Sequence, residues 1–121
     1  MKVLADASIW IDHLRQTNRG MSSLLRDKAI RTHPFVVGEL VCGNLADRPR
    51  FLADLLKLPG LPILSFPETL TFVELHKLQG LGMGWVDVSL LASAKVSGFA
   101  LWTRDKALHR AAEKLRIAFY S

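Results

Sequence analysis

A single cysteine, Cys42, occurs in 121 residues. One thiol cannot close an internal disulfide, and there is no Cys-x-x-Cys motif for a metal or redox centre. Its apolar neighbours predict a buried thiol. Long apolar runs are also missing, and none approaches the ~18 residues of a membrane span. Lys2 precedes only a short apolar run before Asp6 and Asp12, which is not the pattern of a secretion signal. These absences predict a cytoplasmic, reducing location. His13, His33, His76 and His109 lack metal-ligand spacing, and a surface position is expected for each. Gly82 and Gly84 lack the lysine of a phosphate-binding loop and the full Gly-x-Gly-x-x-Gly, which argues against a nucleotide cradle. No repeat, low-complexity tract or linker divides the chain, so one domain over residues 1–121 is expected.

Acids are scarce relative to bases. Lys and Arg number 16 against 11 Asp and Glu, for a net charge of +5 and a pI near 9.8. That balance favours phosphate-rich partners. The excess crowds the C-terminal end at Arg104, Lys106, Arg110, Lys114 and Arg116. Half of the residues are hydrophobic and the mean hydropathy is +0.20. A small domain has limited interior, so part of this apolar surface is expected to meet another chain.

The pattern alternates strands with helices. Strands are expected at the Val3-Leu4 run and at residues 30–32, 61–66, 99–102 and 117–120. Helices are expected over residues 7–14, 21–29, from Pro34 to the Gly43-Asn44 stop, over 50–58, from Pro67-Glu68 to about Gln79, and over 86–96 and 104–115. Glu74 and Lys77 are spaced to pair along their helix. Residues 80–84 are too rich in glycine to hold a helix. The predicted fold is α/β, with a central parallel sheet of about five short strands flanked by helices on both faces.

Four carboxylates stand beside apolar residues at the edges of these elements. Asp6 ends the first strand. Glu39 lies in the apolar helix Phe35-Val36-Val37-Gly38-Glu39-Leu40-Val41, where desolvation is expected. Asp87 follows the glycine loop and starts a helix, and Asp105 follows the strand ending at Trp102. Ligands of open α/β sheets collect at the carboxyl ends of the strands. There Asp6, Asp87 and Asp105 can share one edge, and Glu39 can reach it from a preceding helix. Each acid alone reads equally well as a helix cap or a helix-start charge. Together they repel, by ~4 kcal/mol for a pair ~4 Å apart at an effective dielectric of about 20. A hard cation relieves such crowding, and oxygen-only donors suit Mg²⁺ or Mn²⁺. A metal held this way activates water and stabilises charge on a phosphoryl group.

The stretch Leu4-Ala5-Asp6-Ala7-Ser8-Ile9-Trp10-Ile11-Asp12 resembles the opening of PIN-domain ribonucleases, in particular VapC-type toxins. Gly38-Glu39-Leu40, Gly84-Trp85-Val86-Asp87 and Thr103-Arg104-Asp105 follow in the order and spacing of that family. The resemblance covers essentially the whole chain. It implies a parallel sheet with flanking helices and a divalent-metal-dependent endoribonuclease acting on structured RNA. It implies Asp6, Glu39, Asp87 and Asp105 as metal-holding catalytic residues, with Ser8 and Thr103 as supports that orient acids or water. It also implies a homodimer and a cognate VapB-type antitoxin that covers the site. The small residues Ala5 and Ala7 beside Asp6 are a mild departure.

Arg104, between Thr103 and Asp105, is the basic residue best placed to touch substrate. Lys106, Arg110 and Lys114 recur every four residues and form a stripe that suits RNA phosphates or plain solvation. Trp85 is placed to stack on an unpaired base or to pack on a neighbour. Trp10 and Trp102 lie in apolar runs and are expected in the core or an interface. Three other functions compete. A receiver-type phosphoacceptor needs an acidic pair on the first strand, where this chain has one Asp. A haloacid-dehalogenase-like phosphatase needs Asp-x-Asp, and here Ser8 stands in the second place. A non-catalytic RNA-binding protein needs only the basic stripe.

Overall fold

The computed structural model describes residues 1–118 and 120. Strand β1 (Val3–Ala5) is the middle of a three-stranded parallel sheet, between β2 (Ile30–Arg31) and β3 (Ala100–Trp102). Val3 pairs with Ile30 on one side and with Ala100 on the other. Ala5 pairs with Trp102. Val3, Leu4 and Ala5 have no solvent exposure. A strand covered on both faces needs an unbroken apolar run, and Val3-Leu4-Ala5 supplies it.

Seven helices surround the sheet among the described residues: α1 (Ala7–Arg15), α2 (Arg19–Arg26), α3 (Pro34–Val41), α4 (Arg48–Leu55), α5 (Phe66–His76), α6 (Trp85–Ser97) and α7 (Lys106–Lys114). Helix α1 packs on α3, α5 on α6, and α6 on α7 and β3. Helix α6 is the internal one, with every residue from Val88 to Ala94 buried. Its run of Ala and Ser lets neighbouring backbones approach closely. Gly98 ends it in the left-handed conformation, with φ +70°, where a Cβ would be strained. No helix among the described residues is long and apolar enough to cross a membrane.

The sheet is narrower than expected. Residues 61–66 form no strand, and the ladder beyond β2 is reduced to a single bridge between Thr32 and Gly60. Thr32 N–H donates to the Pro59 carbonyl, and Leu61 N–H donates to the Thr32 carbonyl. Pro62 then removes a donor, and Ser65 starts α5 with a reciprocal cap to Glu68. On the other edge, Leu101 N–H donates to the Ala118 carbonyl and Tyr120 N–H to the Leu101 carbonyl, at 2.8 and 3.0 Å. The expected strand over 117–120 includes Phe119, which lies outside the described residues.

Three local expectations also fail. The Cys42 thiol is exposed, because two residues past buried Leu40 it points away from the packed face of α3. Lys77 takes a left-handed φ of +54° as the cap of α5, so it leaves the helical register and makes no ion pair with Glu74. His33 is fully buried instead of lying at the surface. Its Nδ1 accepts from Phe35 N–H at 3.0 Å and caps α3, and its Nε2 lies 3.1 Å from the Ser93 hydroxyl. Burial pushes its pKa down to about 4, so the ring is neutral at pH 7. Phe35 N–H occupies Nδ1 as a donor, so the ring proton sits on Nε2 and is donated to Ser93. The Ser93 hydroxyl in turn donates a hydrogen bond to the Pro62 carbonyl.

Candidate active site

Asp6 follows the last residue of β1 and caps α1. Its backbone is extended there, and its own N–H donates to the Trp102 carbonyl at 3.0 Å. That bond ties the ends of β1 and β3 together. The carboxylate is 8% exposed, and hydroxyls hold both of its oxygens. Ser8 donates to Oδ1, as does Ile9 N–H at 3.3 Å, and Thr103 donates to Oδ2. Ser8 comes from the first turn of α1. Thr103 comes from the turn after β3, ninety-seven residues after Asp6.

Asp105 caps α7, taking Leu108 N–H on Oδ1 at 2.9 Å, and its own N–H donates to Thr103 Oγ1 at 3.1 Å. Thr103 therefore links Asp6 to Asp105. Asp87 lies in the first turn of α6, where Oδ2 takes Gly84 N–H at 3.2 Å. Partial burial raises its pKa. The Gly84 hydrogen bond opposes that shift, and the charges of Asp105 and Asp6 add to it. Glu39 keeps enough solvent contact to count as exposed, so it is less enclosed than its apolar helix suggested. The atoms packed around its carboxyl still raise its pKa, and the charges of Asp6 and Asp87 raise it further. Acids from four separate stretches are thus close enough for their charges to act on Glu39 and Asp87. All of them gather at the carboxyl end of the sheet.

The side chains do not yet close on one point. Among the described residues, no three His, Cys, Asp or Glu side chains stand where they grip a single ion. Asp87 and Asp105 each spend one oxygen on a backbone N–H and keep the other. The chemistry of the donor set nevertheless fits a hard divalent cation. Every donor is a carboxylate oxygen, and the mutual repulsion is what such an ion removes.

The basic residues divide. Arg104 pairs with Asp12 and sends its backbone N–H to Ser8 Oγ at 3.3 Å. Lys106 and Arg110 border a shallow depression of about 320 Å³ shared with Thr103 and Arg104. Lys114, further along the stripe, turns its amine to the His76 carbonyl. Trp85 lies on Phe66 with ring centroids 5.1 Å apart, so one of its faces is taken. On sequence alone Asp12 can approach the site from the first helix or simply face solvent, and it stands outside the candidate set; the structure pairs it with Arg104.

Known proteins match this chain in sequence and in fold. The sequence matches the PIN domain family over residues 3–114. It is 39% identical over 117 residues to Ribonuclease VapC32 of Mycobacterium tuberculosis, in both strain CDC 1551 / Oshkosh and strain ATCC 25618 / H37Rv. That match covers 96% of this chain and 94% of the relative. The fold is similar to the crystal structure of PAE2754 from Pyrobaculum aerophilum, with a TM-score of 0.66, 19% identity, and coverage of 98% of this chain and 83% of that one. It is equally similar to a chain of FitAB bound to an IR36 DNA fragment, with a TM-score of 0.66, 18% identity, and coverage of 98% and 93%. Since the family match runs from the first strand to the end of the last helix, the chain belongs to the PIN-domain family, among its VapC-type members.

Proposed function

We propose that this protein is a divalent-metal-dependent endoribonuclease, acting as the toxin of a toxin–antitoxin pair and cutting structured RNA such as tRNA or rRNA. One observation carries the proposal. Glu39 and Asp87 are both held away from easy ionisation, first by the protein packed around them and then by charges that include Asp6, with Asp105 adding to the pressure on Asp87. Such crowding costs stability, and a bound cation offsets it. Near identity in length to a curated ribonuclease supports the same reading.

Asp6, Glu39, Asp87 and Asp105 are the residues proposed to hold Mg²⁺, or Mn²⁺ in its place. When bound, the ion supplies an activated water and stabilises charge on the phosphoryl oxygens. The protein does the rest. Ser8 and Thr103 fix the orientation of Asp6 with two hydroxyl hydrogen bonds. Asp105 and Asp87 are fixed by their backbone caps, so no large ordering cost falls on the moment of reaction. Arg104, Lys106 and Arg110 meet the RNA backbone, and Trp85 offers its free face to an unpaired base.

A single nuclease domain over residues 1–121, a homodimer, a VapB-type antitoxin and a cytoplasmic setting complete the proposal. Phe66 and Leu70, one turn apart on α5, are 64% and 43% exposed. This apolar face supports a protein partner.

The test is direct. The purified protein is incubated with structured RNA and Mg²⁺ or Mn²⁺, beside Asp6→Asn. Cleavage by the wild type alone, lost on chelation, is the expected result. Equal cleavage by Asp6→Asn removes Asp6 from the mechanism. Metal-independent RNA binding with no cut by either protein favours the non-catalytic reading.

A further inference from the structure

An open groove of about 540 Å³ lies beside the acid cluster, between the end of α1, the start of α2 and the end of β3. Ile9 and Trp102 give it an apolar floor, and Arg15, Gln16 and Asn18 stand on its rim. The rim is built. Gln16 N–H closes α1 on the Asp12 carbonyl at 2.9 Å, and Asn18 N–H donates to His13 Nδ1 at 3.0 Å. Between groove and acids stands Arg104. Its backbone N–H is bound to Ser8, the same hydroxyl that holds Asp6. Its guanidinium Nη1 is bound to Asp12 Oδ2.

That ion pair is solvent-exposed, with the Arg104 side chain at 66% and Asp12 at 34%. Exposed pairs add little to stability. What this one does is fix a long, flexible side chain at the lip of the groove. One guanidinium nitrogen is spent on Asp12, and the others remain for an anion, since the planar fork offers five donors. A phosphate between groove and acid cluster is the anion that the place suits.

We propose that Asp12 is a positioning residue that presents Arg104 to the RNA backbone, and that the groove takes the nucleotide next to the phosphate being cut. The inference rests on the nuclease reading of the acid cluster and adds a strand path to it. The base lies over the exposed edges of Ile9 and Trp102, which are otherwise buried, with the Gln16 amide on the rim; the Asn18 Oδ1 is held by Met21 N–H. No bond is made or broken by Asp12 or Arg104.

Asp12→Ala, Arg104→Ala and the double variant are assayed on bulk tRNA with Mg²⁺. Arg104→Ala raises KM about tenfold and Asp12→Ala up to about fivefold, each with kcat and Tm close to wild type. The double variant is no worse than Arg104→Ala alone, because Asp12 acts only through Arg104. Asp12→Glu keeps the carboxylate and recovers most of the loss. A merely structural Asp12 lowers Tm and kcat instead, and Arg104→Ala does not cancel its effect. An unchanged KM in Asp12→Ala, or a double variant whose loss is the product of the two, overturns the proposal. If the wild type cuts nothing, the nuclease reading falls on that result. The pair is then read by fluorescence anisotropy with a short labelled single-stranded RNA of mixed sequence. A shared, non-additive loss of affinity supports the positioning role, and an affinity equal to wild type in Asp12→Ala overturns it.

Discussion

His33 and Ser93 meet in the core through a 3.1 Å contact across sixty residues of chain. The bond joins the start of α3 to the middle of α6, and so links the helix that carries Glu39 to the helix that carries Asp87. Both polar groups are fully buried. Protonating the ring removes the acceptor that caps α3 and leaves a buried charge with no carboxylate partner.

Stability should therefore fall in acid through His33. Unfolded, the imidazole protonates near 6.5, and folded only near 4. Between those values the unfolded chain binds the extra proton, so stability drops as pH falls through that window and is fully present above it. The loss reaches about 3 kcal/mol near pH 4. Glu39 and Asp87 work in the opposite sense, because their folded forms take up protons more readily than the unfolded chain does. His33→Asn isolates the histidine, since Asn also caps helices well. Its Tm should start lower than wild type at pH 7 and lose the histidine part of the slope between pH 6.5 and 4. Parallel curves for the two proteins assign the acid sensitivity elsewhere.

The hydroxyls on Asp6 give a second prediction. Ser8→Ala and Thr103→Val each remove one donor from a carboxylate that is almost enclosed. Groups that orient a metal-holding side chain typically contribute 10–100-fold to affinity or activity, so each variant should lose cleavage within about that range. Thr103→Val should cost more, because Thr103 also receives the Asp105 N–H. Cleavage rates against Mn²⁺ concentration check this. Recovery at high metal locates the defect in metal holding, and wild-type rates throughout deny the hydroxyls a role.

The two halves of the site were not equally legible. Asp6, Asp87 and Asp105 begin helices after an apolar strand or a glycine loop, and local pattern is enough to put such acids at the carboxyl edge of a parallel sheet. The parallel, helix-covered sheet was readable from the same alternation of elements. Sheet width was not, because a run such as residues 61–66 has strand-like bulk while Pro62 and the Ser65 cap decide against it. The placements of His33 and Asp12 rest on partners sixty and ninety-two residues away. No local spacing encodes such a partner. Cys42 has apolar neighbours in sequence, but two residues past buried Leu40 it stands on the opposite side of the helical turn.

Gly98 supplies a third prediction, independent of the chemistry. It ends α6 at φ +70° with open space around it. A side chain there meets no neighbour but must adopt the left-handed conformation. Gly98→Ala should cost about 1 kcal/mol, visible as a lowered midpoint in urea with an unchanged slope. RNA cleavage per folded molecule should be unaffected, because the change lies at the end of α6 remote from Asp87.

Charge crowding at the sheet edge predicts a trade between stability and metal binding. The folded pKa values of Glu39 and Asp87 are raised, so their ionised forms oppose folding at neutral pH, and the penalty disappears as pH falls. Glu39→Gln removes one of these charges without changing shape. Without metal at pH 7 its Tm should rise by about 1–3 °C, the shift expected of a fraction of a kcal/mol in a domain of this size. Solvent around Glu39 keeps the effect small. With Mn²⁺ in excess the order should reverse, because the wild type gains stability in proportion to its metal affinity while the variant lacks one of the four proposed ligands. Thermal melts with chelator and with Mn²⁺ decide it. A variant that is destabilised without metal, or that gains as much from Mn²⁺ as the wild type, separates Glu39 from the acid cluster.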